Sequence, residues 1–382
     1  MINEEYGKQP SSEGKYTKRI SYCLMLLTIL AVLWVLKATS DMNIQIVLAL
    51  FIFILFNPFT ARLEKLKVPS PIITLIVMCL IVGLVLALTW VFSMTIDSLI
   101  GKIPDYVKRV KEFDDYLKST SIGQWLDMDE SSTFLSSIGV DWMNLLLSTL
   151  RSVSTSTVSL LKTAVMVFVF VFFLMIERST IFPKLYMLLP NHDISFVAQF
   201  YEKMNRQISK YLSIKTIISL VTGAMFYLGG VLIGFDFALL WGFLAFFLNY
   251  IPTIGSIVVT TGGIVIAILQ FFPSWGPVIF ISCWFVFWDF LIGNVIDPRL
   301  QGGKLNLSPF IILIALALWG YIWGIVGMFL AVPMMSIIQI ICANTEGGRP
   351  IAIFLSGSRI MKKAHDSKDE KINPDIVLPK VK

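Results

Sequence analysis

Charge is scarce in this sequence: Asp, Glu, Lys and Arg make up 15% of its 382 residues, against 56% hydrophobic. A water-soluble chain of this length could not bury so much apolar side chain, so the bilayer is read as the solvent for most of it. Histidine is nearly absent, and His192 and His365 both sit in polar connecting segments. No apolar run therefore carries a histidine for metal binding or base catalysis, which excludes HExxH proteases and Ser–His intramembrane hydrolases. The four cysteines, Cys23, Cys79, Cys283 and Cys342, lie in apolar runs with neither zinc-site nor disulfide-framework spacing and read as structural thiols. There is no GxxxxGK[ST] phosphate loop and no Gly-x-Gly-Asp protease phrase, so neither ATP drive nor an enzyme is expected, and no cofactor.

What is present is a series of long apolar runs, at 20–36, 43–59, 71–95, 157–176, 214–235, 237–270, 277–296 and 308–342. Each approaches or exceeds the roughly 18 residues a membrane helix needs. The expected fold is all-α and polytopic: about eight membrane segments, two of them broken or re-entrant, with an external amphipathic helical segment. Basic residues mark the cytoplasmic side: Lys8, Lys15, Lys18 and Arg19 in the tail, Arg62, Lys65 and Lys67 in the next short loop, and Arg178, Lys184, Lys203, Arg206, Lys210 and Lys215 before the fifth run. The excess of +6 is thus read as topology rather than nucleic-acid binding.

The domain reading follows: a cytoplasmic tail at 1–19, three spans within 20–95, an external segment at 96–156, a transport core at 157–342 and a cytoplasmic tail at 343–382. In the external segment Ile96, Leu99, Ile103, Val107, Val110 and Leu117 mark one helical face, and Phe134, Ile138, Leu145 and Leu146 hint at a second. Near 194–212, Val197, Tyr201, Met204, Ile208 and Tyr211 form an apolar stripe opposite Lys203, Arg206 and Lys210, the pattern of a surface helix against anionic headgroups. The Ser/Thr cluster at 152–159 reads as capping and packing.

Two runs are too long for one straight crossing. The first is interrupted by "NYIPTIGS", where Asn249, Tyr250, Pro252, Thr253 and Gly255 cluster. Pro252 removes a backbone donor and clashes with the preceding turn, so carbonyls near 248–251 need new partners. The second contains Gly320, Gly324, Gly327 and Pro333, and a second break is expected there. "ALLWGF" at 238–243 and "LALWGY" at 316–321 form a weak echo, and paired interrupted segments point to a transport site on an internal repeat.

Ionisable residues in such runs are costly unless paired or hydrated. Asp289 in "WFVFWDFLIGN" is the deepest by position, followed by Asn294, Asp297 and Arg299. A straight helix places Asp289, Asn294 and Asp297 on one broad face, which with the opened backbone at Pro252 could bind a polar solute or a proton. Alternatively Asp297 and Arg299 flank the membrane interface and pair with each other. In "NVIDPRLQGGKLNLSP" Pro298 is expected to stop one span, Gly302 and Gly303 to turn the chain, and Ser308 and Pro309 to start the next as N-cap and first helical residue. This stretch is cytoplasmic if 237–270 is a re-entrant hairpin and external if that run crosses fully.

The phrases "FFLMIERSTIFPKLYMLLP", "NYIPTIGS", "DPRLQGGKLNLSP" and "GIVGMFLAVP", in this order between about 165 and 345, closely resemble the autoinducer-2 exporter family of bacterial membrane proteins. Pro298 to Gly302 and Leu307, Ser308 and Pro309 match its motif elements, while Asp297 stands at a variable place. The resemblance implies a multi-pass bacterial plasma or inner membrane protein, both termini cytoplasmic, that moves a small polar solute such as autoinducer-2 outward. Other members are described as sodium or lithium/proton antiporters, and a channel or assembly scaffold is a further alternative. The implied partners are the lipid bilayer, a polar solute with sodium or protons, and other copies of the chain.

Overall fold

The computed structural model describes residues 12–119, 161–187, 194–301, 307–345 and 347–357. The Ser/Thr cluster at 152–159, the second external stripe, Gly302, Gly303, both histidines and the outer parts of both tails lie outside the described residues. Among those described, the chain is helical, with no strand beyond one isolated bridge between Leu307 and Ser356. The helices are α1 (Ser12–Ala38), α2 (Ser40–Lys65), α3 (Ser70–Ser119), α4 (Leu161–Ile176), α5 (Arg178–Met187), α6 (Ile194–Ile233), α7 (Ala238–Leu248), α8 (Ile254–Phe271), α9 (Trp275–Leu291), α10 (Asp297–Gln301), α11 (Pro309–Ala343) and α12 (Arg349–Leu355). Six helical stretches are long and apolar enough to cross a membrane, and Cys23–Ala38, Leu161–Ile176 and Ala238–Leu248 are shorter apolar helices. Their outward faces carry large apolar side chains such as Leu24, Trp34, Leu86, Ile217, Phe290 and Tyr321. So broad an exposed apolar surface is stable only against lipid or protein.

Several boundaries differ from the sequence reading, because polar residues on one helical face do not interrupt backbone hydrogen bonding. The stripe near 194–212 is no separate helix; it forms the first part of the 40-residue α6. Ile208, Tyr211 and Leu212 there are buried in the main core with α2 and α11, while Lys203, Arg206 and Lys210 stay exposed. Likewise α3 runs unbroken from the third apolar run into the segment beyond Thr95 that the sequence reading sets outside, 50 residues in all, about 75 Å at about 1.5 Å per residue. Its buried extra-membrane face is Tyr106, Val110 and Asp114, with Ile103, Val107 and Phe113 half-buried. The tail assigned to 343–382 contains α12, and the first helix already begins at Ser12.

The bundle has two ends. At the basic end, the Arg178 guanidinium pairs with Glu64 at 2.8 Å and donates to Asn57 at 3.0 Å, tying the start of α5 to α2. At the opposite end α1 meets α2 at Thr39, where Asn43 donates to the Thr39 hydroxyl at 2.7 Å. One core joins α2, the first half of α3, α4 and α6 to the middle of α11. A second, around stacked Phe226 and Phe285 (4.2 Å), joins α6 to α7, α8 and α9. The α6–α7 approach is close because Gly223 and Gly242 face each other's backbone: a Cβ on Gly223 would stand 2.6 Å from the Gly242 carbonyl oxygen.

Both over-long runs fold back on themselves. In the first, Gln270 at the end of α8 returns to the α6–α7 turn: its Oε1 accepts from the Asp236 N–H (2.6 Å) and its Nε2 donates to the Gly234 carbonyl (2.8 Å). Thus α7 and α8 form a hairpin whose base lies at the end opposite the basic one. In the second, α11 leaves helical geometry at Trp323 (φ −125°, ψ 15°) and Gly324 (φ 62°, ψ −143°). A Cβ on Gly320 would touch Met328, and one on Gly327 would collide with the Trp319 carbonyl, pairs that a straight helix would hold about 12 Å apart. The second hairpin starts where the Ser308 N–H bonds the Leu355 carbonyl at 3.1 Å, next to α12.

Candidate functional site

The tip of the first hairpin, Asn249 to Thr253, is built by its awkward residues. Thr253 holds φ 65°, a costly setting for a β-branched side chain, and lies exposed after Pro252. The carbonyls freed by the proline find local partners: Leu248 accepts from the Ile251 N–H at 2.9 Å, and Ile251 from the Gly255 N–H at 3.1 Å. Asn249 donates to the Ser219 hydroxyl on α6 at 3.0 Å. Tyr250 is buried, with its hydroxyl 2.6 Å from that of Thr216. Because Thr216 donates its proton to the Leu212 carbonyl (2.7 Å), Tyr250 is the donor in that pair.

The second hairpin meets this tip. The ring of Phe329 lies 4.5 Å from that of Tyr250, and Ile251 shares a core with Trp319, Trp323 and Leu330. The second tip is anchored by Trp323, whose indole N–H donates to the Leu36 carbonyl near the end of α1 at 3.1 Å. Gly327 packs on the backbone before the tip, and Pro333 is buried farther along the returning arm. The Trp319 indole nitrogen is buried without a hydrogen-bond partner among the described residues. The two tips share a local pattern, Tyr250-Ile251-Pro252-Thr253-Ile254 against Tyr321-Ile322-Trp323-Gly324-Ile325, each with its fourth residue at positive φ. The Trp-Gly echo falls in a different register, since Trp241 lies farther before its tip than Trp319 does.

Asp289, Asn294 and Asp297 are not held on one face. A π-helical turn, Ile292–Ile296, follows α9 and adds a residue to the turn, which rotates everything after it. Asp289 is half-buried near Phe285 and Ile292 on the packed side of α9, and its carboxylate has no hydrogen bond or ion pair among the described residues. Asn294 is exposed and donates to its own helix at the Phe290 carbonyl, 3.2 Å. Asp297 turns inward, binding Lys215 of α6 at 2.9 Å through Oδ2 and the Gln301 amide through Oδ1.

Arg299 is therefore not the partner of Asp297; it is exposed, and Lys215 takes that role. Nor does Pro298 stop the helix: the chain keeps helical geometry through the π turn and on to Gln301, with the Asp297 N–H still bonding the Ile292 carbonyl just before the proline. Ser308 and Pro309 do begin α11, although the Ser308 side chain makes no capping bond and its backbone N–H is spent on Leu355.

Three polar positions at the site are not marked out by the linear pattern. Lys215, 4% exposed in its side chain, was counted among the loop cations, yet it stands inside the apolar stretch of α6. Asp236 fell in the gap between two apolar runs. Its Oδ1 pairs with Lys102 and its Oδ2 accepts from the Tyr106 hydroxyl at 2.9 Å, both from the α3 extension. Burial, reinforced by the bond to Asp236, raises the Tyr106 phenol so far that it remains a donor throughout the accessible pH range. Gln270, at the tail of a run, clasps the hairpin base. The signal for all three was a lone polar residue at an apolar-run edge.

The sequence profile of the AI-2E family transporter matches residues 23–347. A Borreliella burgdorferi transport-protein relative is 38% identical over 173 residues, 45% of this chain and 48% of that protein. YhhT of Escherichia coli K12 is 28% identical over 363 residues, 92% of this chain and 97% of its own length. The AI-2 transport protein TqsA of the same strain is 26% identical over 344 residues, 87% and 94% of the two chains. With the profile spanning both hairpins and the helices that hold them, this chain belongs to the AI-2E family of multi-pass membrane transporters.

Proposed function

We propose that the chain is a gradient-driven secondary transporter of the bacterial cell membrane that exports a small polar solute, of the kind TqsA is named for. The observation that carries this reading is the meeting of two oppositely inserted hairpins, Tyr250 against Phe329, inside the core. Irregular backbone at membrane depth is stable only beside protein or a water-lined cavity, and transporters place their binding groups at such breaks. The basic end, with Arg62, Lys65 and Lys67, is assigned to the cytoplasm. Then α1, α2, α3, α4, α6 and α9 cross, the first hairpin re-enters from outside and the second from inside. That makes eight membrane segments with the chain's two ends in the cytoplasm, and puts Asp297 to Pro309 on the cytoplasmic side.

The solute path then runs between Asn249, Tyr250 and Thr253 on one side and Trp319 on the other, whose indole N–H has no partner among the described residues. Inverted vesicles offered candidate polar solutes under an imposed proton gradient test this reading. Asn249→Ala, which removes one hydrogen bond at the tip, is expected to slow uptake about tenfold with the protein still folded. Wild-type vesicles that take up none of the solutes but respond to sodium would reverse the assignment.

A cation/proton antiporter is favoured by one observation, the carboxylate of Asp289, which has no partner among the described residues. It lies two turns, about 12 Å, along the helix from Asp297 and so deeper in the membrane. A carboxylate that changes charge within the bilayer is what proton exchange requires. On this reading Asp289→Asn abolishes sodium-driven proton movement in vesicles, and unaltered exchange in that variant sinks it.

A further inference from the structure

The extra-membrane half of α3 is longer than membrane crossing requires, and its polar groups converge on one carboxylate. Asp236 sits in the α6–α7 turn, at the base of the first hairpin, with its side chain 15% exposed. Both of its oxygens are occupied from α3, one by Lys102 and the other by Tyr106, which are one helical turn apart. Its backbone N–H is held by Gln270, so the same residue joins the two legs of the hairpin to each other and to α3. A second contact lies beside it: Phe113 of α3 packs edge-on to Phe272, where α8 leads into α9, at 5.3 Å. The ion pair borders a polar cavity of about 430 Å³ open at one side, and the Lys102 side chain is 43% exposed. Water therefore reaches the pair, and separating it does not strand a dry charge.

We infer that Asp236 is a positioning residue for transport: through Lys102 and Tyr106 it latches the first hairpin to α3, and release of this latch lets the hairpin swing away from Phe329 and open its tip outward. This rests on the transport reading above. Elsewhere the hairpin is held to α9 by apolar packing and to α6 by apolar packing and two neutral bonds at its tip, Asn249 to Ser219 and Tyr250 to Thr216, whereas the two bonds to the Asp236 carboxylate tie its base to α3 and are the stronger for the charge they carry. Occupancy of the latch thus fixes how often the tip at Thr253 faces the outside.

The test uses the full chain with Cys23, Cys79, Cys283 and Cys342 replaced by Ser and a single reporter, Thr253→Cys, in intact cells. The readout is the rate of labelling by a membrane-impermeant maleimide applied outside. Loss of the latch in Asp236→Asn or Lys102→Met is expected to raise that rate about tenfold, the worth of one charge-assisted bond. The exchange Lys102→Asp with Asp236→Lys should return it toward the parent value, which general loosening of the fold does not do. Lys102→Met keeps the test open if Asp236→Asn does not fold, because Lys102 is the more exposed partner. Labelling that is the same with and without the latch overturns the proposal. Since labelling needs no solute, a failed export assay counts against the transport reading and leaves this result standing.

Discussion

Lys215→Met is expected to destabilise the protein by about 3–5 kcal/mol, the cost of stranding one member of a buried ion pair. Lys215 is 4% exposed and Asp297 18%, and the pair spans two helices far apart in sequence. Attraction between the two charges offsets their removal from water only while both are present. After the substitution, Asp297 keeps the Gln301 amide but loses its counter-charge, and must either stay charged beside apolar side chains or take up a proton. Asp297→Ala leaves an ammonium group inside α6 and should cost a similar amount. The double variant Lys215→Met/Asp297→Leu removes both charges and should recover most of the loss. Thermal unfolding of all four proteins in detergent gives the coupling directly. Additive losses in the double variant would show that the two residues act separately.

That pair marks the limit of what the linear pattern conveyed. The all-α membrane fold and the two breaks were legible because they rest on local facts: apolar run length, and Pro252 or clustered glycines within runs too long for one crossing. The direction in which each break sends the chain was not legible. It is set by contacts such as Gln270 with Asp236 and Ser308 with Leu355, whose partners are 34 and 47 positions away. The straight-helix expectation for Asp289, Asn294 and Asp297 failed for a related reason. A π turn costs little where Asp297 gains Lys215 by rotating, and no local sequence feature announces a partner 82 positions earlier. The amphipathic stripe at 194–212 reads as a surface helix against headgroups, but its buried half meets α2 and α11 instead, because periodicity shows that a face must be covered and not what covers it.

Gly255→Ala and Gly327→Ala are expected to give the largest losses of all, each abolishing transport and lowering the yield of folded protein. A methyl group at Gly255 would fall inside the van der Waals radius of the Leu248 carbonyl oxygen, and one at Gly327 inside that of the Trp319 carbonyl oxygen. Both obstacles are backbone atoms on the opposite arm of a hairpin, so no side-chain rotation relieves them. The tip must open, and in hydrocarbon an opened tip exposes peptide groups that have no water to bond. The cost therefore exceeds the roughly 1–3 kcal/mol of ordinary core overpacking. Gly276→Ala in α9 and Gly293→Ala in the π turn are the controls, since a Cβ at either position meets nothing within 4 Å. Folded yield by fluorescence-detected size-exclusion, together with vesicle uptake, separates the pairs. Wild-type uptake in Gly255→Ala would mean that the arms of the first hairpin do not close on each other in the working transporter, and the opposed-tip site would fall with them.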